Sequence, residues 1–419
     1  EVDLEDAYFL AAEVGSWGTA AEAAVRLIYT VGYKRADHVG GYRWGRQADV
    51  ALAMLGDADA SLRRADVLNS LAMVQLSTGA YAEAMASHER ALTIREQALG
   101  PEHPLVADSL NNLANVHIDR GANDEAEALL RRAQSIWEKA LGPDHPDVAL
   151  SLNNLAIIRC STGDYDEARA LYERAHHNLV NALGPNHPHV ARALNNVAEV
   201  HRSTGAYVEA KALYERAGAI WEAVHGPEHP DVAASLNNLA AAHRALGEYA
   251  EAKAIGERAL AILTKAHGPE HTHVATSTHN LGNVYRSMGE LDEAETRYRR
   301  ALAIWEKVHG PDDPRLAYPL TGLAEVALDR GRPGEALPLV RRALTIRERG
   351  GEAKERRAES QFVLARALWD ASEGAPDERA RALALARDAR EVWRATEGYD
   401  DELAALERWL AAREAAPED

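Results

Sequence analysis

A 42-residue period leaves this chain few ways to fold. The stretch from Gly100 to Leu141 reads GPEHPLVADSLNNLANVHIDRGANDEAEALLRRAQSIWEKAL, and further copies open at Gly142, Gly184, Gly226, Gly268 and Gly310. A second glycine series (Gly79, Gly121, Gly163, Gly205, Gly247, Gly289, Gly331) keeps the same spacing half a period out of phase. A period in this range marks a solenoid, because one unit cannot bury its apolar face alone and neighbours must stack. A length of 419 residues would otherwise suggest two or three globular domains, but a continuous array overrides that prior.

Each unit reads as two helices. The GPEHP opening places Pro104 at a helix start, where the missing N–H costs nothing. Val106, Leu110, Leu113, Ala114 and His117 then recur at helical spacing as one buried stripe. Gly121 ends that helix, since glycine takes the left-handed conformation freely. Ala126, Leu129, Leu130, Ala133, Ile136, Ala140 and Leu141 give the second stripe. Alanines at the crossings allow close antiparallel packing.

The run Gly163-Asp-Tyr165-Asp-Glu167-Ala168, preceded by Leu152-Asn-Asn-Leu155-Ala156, resembles the tetratricopeptide repeat (TPR). The longer unit with its GPxHPxVAxSLNNLA segment is similar to the subclass found in kinesin light chains. The resemblance covers roughly residues 58 to 349 and implies an all-α fold: a right-handed TPR superhelix, or α-α solenoid, of antiparallel helix pairs with degenerate ends. HEAT and armadillo arrays share the period but lack this Gly-x-Tyr-x-Glu-Ala turn.

Three regions follow from the drift of the motif: degenerate helical repeats over 1–57, seven repeat units over 58–349, and a helical cap with a frayed tail over 350–419. Helices are expected from Asp3 to Val14, Trp17 to Val31 and Arg35 to Leu55, and again from Glu352 to Asp370, Asp377 to Thr396 and Asp401 to Arg413. The copy near 310 decays, with Asp313 in place of histidine and Pro338 inside its second helix. The array with its QFVLARALWDA terminal segment also resembles the C-terminal halves of myxobacterial-type serine/threonine kinases. That likeness implies a regulatory or substrate-docking region whose catalytic domain lies before Glu1. A start at Glu1 rather than methionine fits a fragment or a processed product.

Composition excludes several classes of function. The formal net charge of −18 repels phosphates and argues against binding to nucleic acid or anionic membrane. No stretch approaches the ~18 apolar residues of a membrane span, and no secretory signal pattern is visible. The single cysteine, Cys160, rules out an internal disulfide framework and fits the reducing cytoplasm.

Chemistry-bearing motifs are absent: no phosphate loop, no dinucleotide fingerprint and no GxSxG elbow occur. The nearest approach to a zinc-protease helix, His88-Glu89-Arg90-Ala91-Leu92, has leucine where the second ligand belongs. No catalytic residue, cofactor or metal is therefore expected. His103, His145, His187, His229 and His271 hold one linker position each, one repeat apart, and read as residues that cap or pack at their helix starts. His176, His177, His187 and His189 are the densest histidine span. Trp137, Trp221 and Trp305 recur in every second copy; packing between second helices is the reading preferred over an exposed aromatic ladder.

One constellation points to binding. Asn69, Asn111, Asn153, Asn195 and Asn237 share one position of successive first helices, and His279 continues the column. Seven residues on lie Arg202, Arg244 and Arg286, and Asn115, Glu199 and Asn283 sit between the two columns. Amides can clamp an extended peptide backbone, and guanidinium groups grip carboxylate or phosphate. Kinesin light chains hold unstructured cargo peptides in asparagine-lined grooves, and the resemblance implies this role for Asn111, Asn153, Asn195 and Asn237. The expected function is a non-catalytic interaction scaffold whose concave groove takes an extended, acidic or phosphorylated protein segment. The alternatives are the kinase-associated role above and self-association of the array. The asparagines have a purely structural alternative, satisfying neighbouring backbone groups, and the arginines one as a solvated, salt-bridged face.

Overall fold

The computed structural model describes residues 2–35, 37–350, 353–396 and 398–414, and among these every regular element is helical. Backbone contacts divide the chain into two units, Glu1–Gly184 and Pro185–Asp419.

The first unit opens with α1 (Val2–Glu13), α2 (Trp17–Leu27), a π-helical turn (Ile28–Lys34) and α3 (His38–Ala53). Three hairpins follow: α4 (Asp57–Ser77) with α5 (Tyr81–Leu99), α6 (Pro104–Asp119) with α7 (Asn123–Leu141), and α8 (Pro146–Thr162) with α9 (Tyr165–Leu183). The helix expected from Arg35 begins at His38 instead, because Asp37 caps it by accepting from the Gly40 N–H at 2.9 Å. The π-turn was not expected. It lies where two backbones touch: a β-carbon on Gly32 would sit 2.8 Å from the Gly41 Cα.

The second unit holds the pairs α10 (Pro188–Ser203) and α11 (Tyr207–His225), α12 (Pro230–Ala245) and α13 (Tyr249–His267), then α14 (Thr272–Ser287) and α15 (Leu291–His309). A 3-10 turn at Pro314–Leu316 leads into α16 (Ala317–Asp329) and α17 (Pro333–Arg349), which runs on through Pro338. α18 (Lys354–Ala371), α19 (Pro376–Arg394) and α20 (Asp400–Glu414) close the chain. Glu352, expected to open a C-terminal helix, lies outside the described residues.

Each hairpin is built by the same local rules. Every linker histidine caps the next helix, its Nδ1 accepting the N–H two residues on at 3.2 Å from His103, His145, His187, His229 and His271 alike. Asp313, where the histidine is lost, caps with its carboxylate at 2.9 Å. Gly142 adopts φ 94°, ψ 157° at the joint between repeats, a conformation closed to a residue with a β-carbon.

Small and branched side chains then fill the stacks. Val106, Leu110, Ala114, Ala126, Leu130, Ala133 and Trp137 are all 0 % exposed. Trp221 and Trp305 are likewise buried, so the tryptophan column packs rather than displays itself. Ala140 and Leu141, expected on the second buried stripe, are exposed instead. Trp137 is the last buried residue of α7. In the terminal helices, Trp393, Leu406, Trp409 and Leu410 join Ala382, Ala386 and Ala389 in one core.

Candidate interaction face

In the first unit the predicted asparagines point into the helix stack and are largely occupied there. Asn69 bonds through Oδ1 to Nδ1 of the buried His88 at 2.8 Å. Asn154 donates to Asn111 Oδ1 at 2.9 Å and to Asn115 Oδ1 at 2.8 Å, tying α6 to α8. Asn153 lies half-buried on the same helix. Asn69, Asn111 and Asn112 line a cavity of about 420 Å³ beside Asp66, Arg95 and Asp108. Arg95 is buried and donates to the Leu105 carbonyl, Ser109 Oγ and Asp66 Oδ1. These amides serve the stack first.

The second unit treats the three column arginines unequally. Arg202 pairs with Glu199 on its own helix, and Tyr214 donates to the same carboxylate at 2.8 Å. Burial works against the Glu199 charge, yet Arg202 and Tyr214 together outweigh it and hold its carboxyl below the usual range. Arg286 donates to Glu325 at 2.7 Å and to Asp329 at 2.8 Å, both on the next first helix. Arg244 has no ion pair among the described residues. Sequence explains this directly: Ala241 stands where Arg202 has Glu199, while Asn283 and Ser287 stand where Arg286 finds Glu325 and Asp329.

A column that the sequence reading passed over completes this face. Tyr172, Tyr214, Gly256 and Tyr298 share one position of successive second helices. Tyr214 reaches Glu199, and Tyr298 donates to Asn283 Oδ1 at 2.7 Å. Gly256 breaks the column and leaves a cavity of about 30 Å³ bordered by Asn237, Arg244, Asn280 and Asn283. The 42-residue spacing was the available signal. The other column members are mixed: Asn237 accepts from Ser277 at 2.8 Å, whereas Asn195 Oδ1 is buried without a partner among the described residues. His279 Nε2 lies 3.3 Å from Asn283, and its ring packs by Tyr298 and Tyr318.

The C-terminal helices bring charge to this face. Burial raises the Tyr207 phenol, and the nearby carboxylates of Asp401 and Glu402 raise it further. Burial also raises Glu402, with Glu359 and Asp401 adding to it and Arg244 opposing. Gly398, at φ +85°, lies so close to α10 that a β-carbon there would collide with the Ser203 carbonyl. The acidic first turn of α20 thus brings Glu402 within electrostatic reach of Arg244.

Two histidines give the fold a defined acid sensitivity. Burial, helped by Arg95 at His88, holds His88 at about 4, and burial likewise holds His279 at about 4. Both are neutral when folded and take up protons below about 6.5 only when unfolded, so stability present above that value is lost as pH falls toward 4. His88 is 0 % exposed and accounts for about 2–3 kcal/mol of that loss. Urea unfolding at pH 7 and pH 4.5 is expected to show the wild type losing about that much more than His88→Gln, whose amide can still donate to Asn69. Equal losses would show that His88 is not the titrating group.

A tetratricopeptide-repeat family model matches residues 63–133, 105–177, 147–217, 189–265, 237–304 and 273–349. The chain belongs to the tetratricopeptide-repeat family, whose repeats make it a protein-interaction scaffold. No curated protein matches it. Among solved structures, a Podosopora anserina protein described as a kinesin light chain with nearly identical TPR-like repeats is 30% identical, over 50% of this chain and 100% of its own, with TM-score 0.43. BtubC (BKLC) from P. vanneervenii is 25% identical over 56% of this chain and 91% of its own, with TM-score 0.44. A Rap protein complexed with Competence and Sporulation Factor is 14% identical, covering 95% of this chain and 98% of that one with TM-score 0.52, a likeness of fold alone. Among the described residues, no helix is long and apolar enough to cross a membrane.

Proposed function

We propose that the first-helix face of the second unit binds an extended acidic or phosphorylated segment of a partner protein, with Arg244 as the residue that reads its charge. The carrying observation is the inequality of the arginine column: Arg202 and Arg286 already hold acids of this chain, while Arg244 has none among the described residues. Asn195, whose carbonyl oxygen is buried without a partner among the described residues, accepts a peptide N–H in this reading, and Asn237, His279 and Asn283 border the same track. In the first unit, Asn69 and Asn111 offer the same chemistry beside the cavity they line, and Asn115 on α6 and Asn153 on α8 offer it on their helices. The first turn of α20 is an internal example of the ligand: of its three successive acids, Asp401 and Glu402 act on Tyr207, and Arg244 acts on Glu402. A partner segment competes with it.

The test is fluorescence polarisation with a labelled peptide copying residues 398–405 (GYDDELAA), beside a version whose three acids are amides. The acidic peptide is expected to bind in the micromolar range, about −8 kcal/mol, and the amide version to bind at least tenfold more weakly. Gly398→Val strains the turn and collides with Ser203. By removing the internal competitor it is expected to tighten peptide binding about tenfold, or ~1.4 kcal/mol. Equal binding of both peptides would remove the charge-reading role.

A further inference from the structure

We infer that His267, His271 and His273 form a binding site for a divalent transition metal of the zinc class at the joint between α13 and α14. One nitrogen from each ring lies within 4.8 Å of the others, and among the described residues this is the one group of metal-capable side chains so arranged. The site is a product of the repeat. Each joint presents three positions: the last residue of a second helix, the capping residue and the residue two further on. Across the joints these hold Leu141, His145 and Asp147; Leu183, His187 and His189; His225, His229 and Asp231; and His309, Asp313 and Arg315. Only the joint after α13 places histidine at all three. The dense span at 176–189 does less: His187 and His189 stack on each other at 5.0 Å.

The first two rings stack as His225 and His229 do one joint earlier, at 4.5 Å, and what this joint adds is a third ring. His267 lies flat against His271 at 4.4 Å, while His273 stands edge-on to both, at 5.5 Å and 4.9 Å. Nitrogens bound to a tetrahedral zinc ion at 2.0–2.1 Å lie about 3.4 Å apart. The rings must therefore close by roughly an ångström, which side-chain rotation of the exposed His267 and His273 supplies. Three imidazoles suit zinc, nickel or copper and leave a fourth position open to water. His271 pays a toll, since its Nδ1 also caps α14 by accepting the His273 N–H at 3.2 Å. Ligation through that atom forfeits the cap, a loss of about fivefold in affinity. Thr272 replaces the proline found at this position of the other joints, and its hydroxyl lies 3.4 Å from both His309 Nε2 and Arg315 Nη1.

Calorimetric titration of the tag-free chain with Zn²⁺ tests this, using variants drawn from the protein's own columns so that folding is retained. His267→Leu copies Leu141 and Leu183, and His273→Leu copies Leu105. The wild type is expected to bind one Zn²⁺ saturably with Kd below about 100 µM, and each variant to weaken this at least tenfold. His225→Leu, which removes the equivalent ring one joint earlier, is expected to change nothing. Co²⁺ added to the wild type is expected to give the visible absorption of a low-symmetry tetrahedral site, absent from both variants. No saturable binding by the wild type, affinities within twofold in His267→Leu and His273→Leu, or an equal loss in His225→Leu would each overturn the site.

Discussion

Reversing the charge at residue 244 (Arg244→Glu) is expected to weaken binding of an acidic peptide about 100-fold while moving the melting temperature by no more than ~3 °C. The two halves of that result rest on one fact: Arg244 has no ion pair among the described residues, and Glu402, an acid of this chain that it does act on, feels it only at longer range. A guanidinium–carboxylate contact is worth about 1.5–3 kcal/mol, and putting like charge in its place brings the change to about 3 kcal/mol, or roughly 100-fold. Arg202→Ala and Arg286→Ala behave differently. They leave Glu199, or Glu325, without the nearest cation that offsets its burial, so the fold weakens along with binding. A triple alanine variant therefore confuses the two effects. Polarisation titration of Arg244→Glu beside Arg202→Ala, each with its melting curve, separates them.

Trp137→Ala is expected to cost the first unit about 3–5 kcal/mol. The indole is 0 % exposed and shares one core with Val106, Leu110, Val148, Leu152 and Ala175, drawn from α6, α7, α8 and α9. It joins two successive hairpins, and neighbouring repeats stabilise each other through such interfaces. The removed volume cannot be refilled by alanine-rich neighbours. Urea unfolding followed by circular dichroism measures the loss; a change below about 1 kcal/mol would mean that the stack relaxes around the gap.

The 42-residue period carried the architecture, because hairpin boundaries are written in single residues whose chemistry is local. Glycine at the joints, proline at the first helical turn and histidine at the cap each act within a few positions of themselves, and each is found where the sequence places it. The π-turn at Ile28–Lys34 was not legible, since it depends on Gly32 meeting Gly41 across two helices. The candidate face was legible as columns but not as an energy balance. The three arginines look equivalent along the chain. They separate only when Glu199, Ala241, Glu325 and Asp329 are placed around them, one of those acids on the same helix and two on the next. The tyrosine column ending at Tyr298, with its gap at Gly256, was written at the same spacing and becomes meaningful once its hydroxyls are seen to reach Glu199 and Asn283. The approach of Gly398 and Glu402 to α10 and Arg244 joins positions roughly 150 to 200 residues apart, which no local pattern encodes.

Hydrogen exchange across the whole chain, with and without the 398–405 peptide, is the most direct measurement of the central claim. Binding on the first-helix face is predicted to slow exchange in α10, α12 and α14, strongest over the turns holding Asn195, Arg202, Asn237 and Arg244, with α11, α13 and α15 little changed. Protection confined to the second helices, or spread evenly over both members of each hairpin, would contradict it.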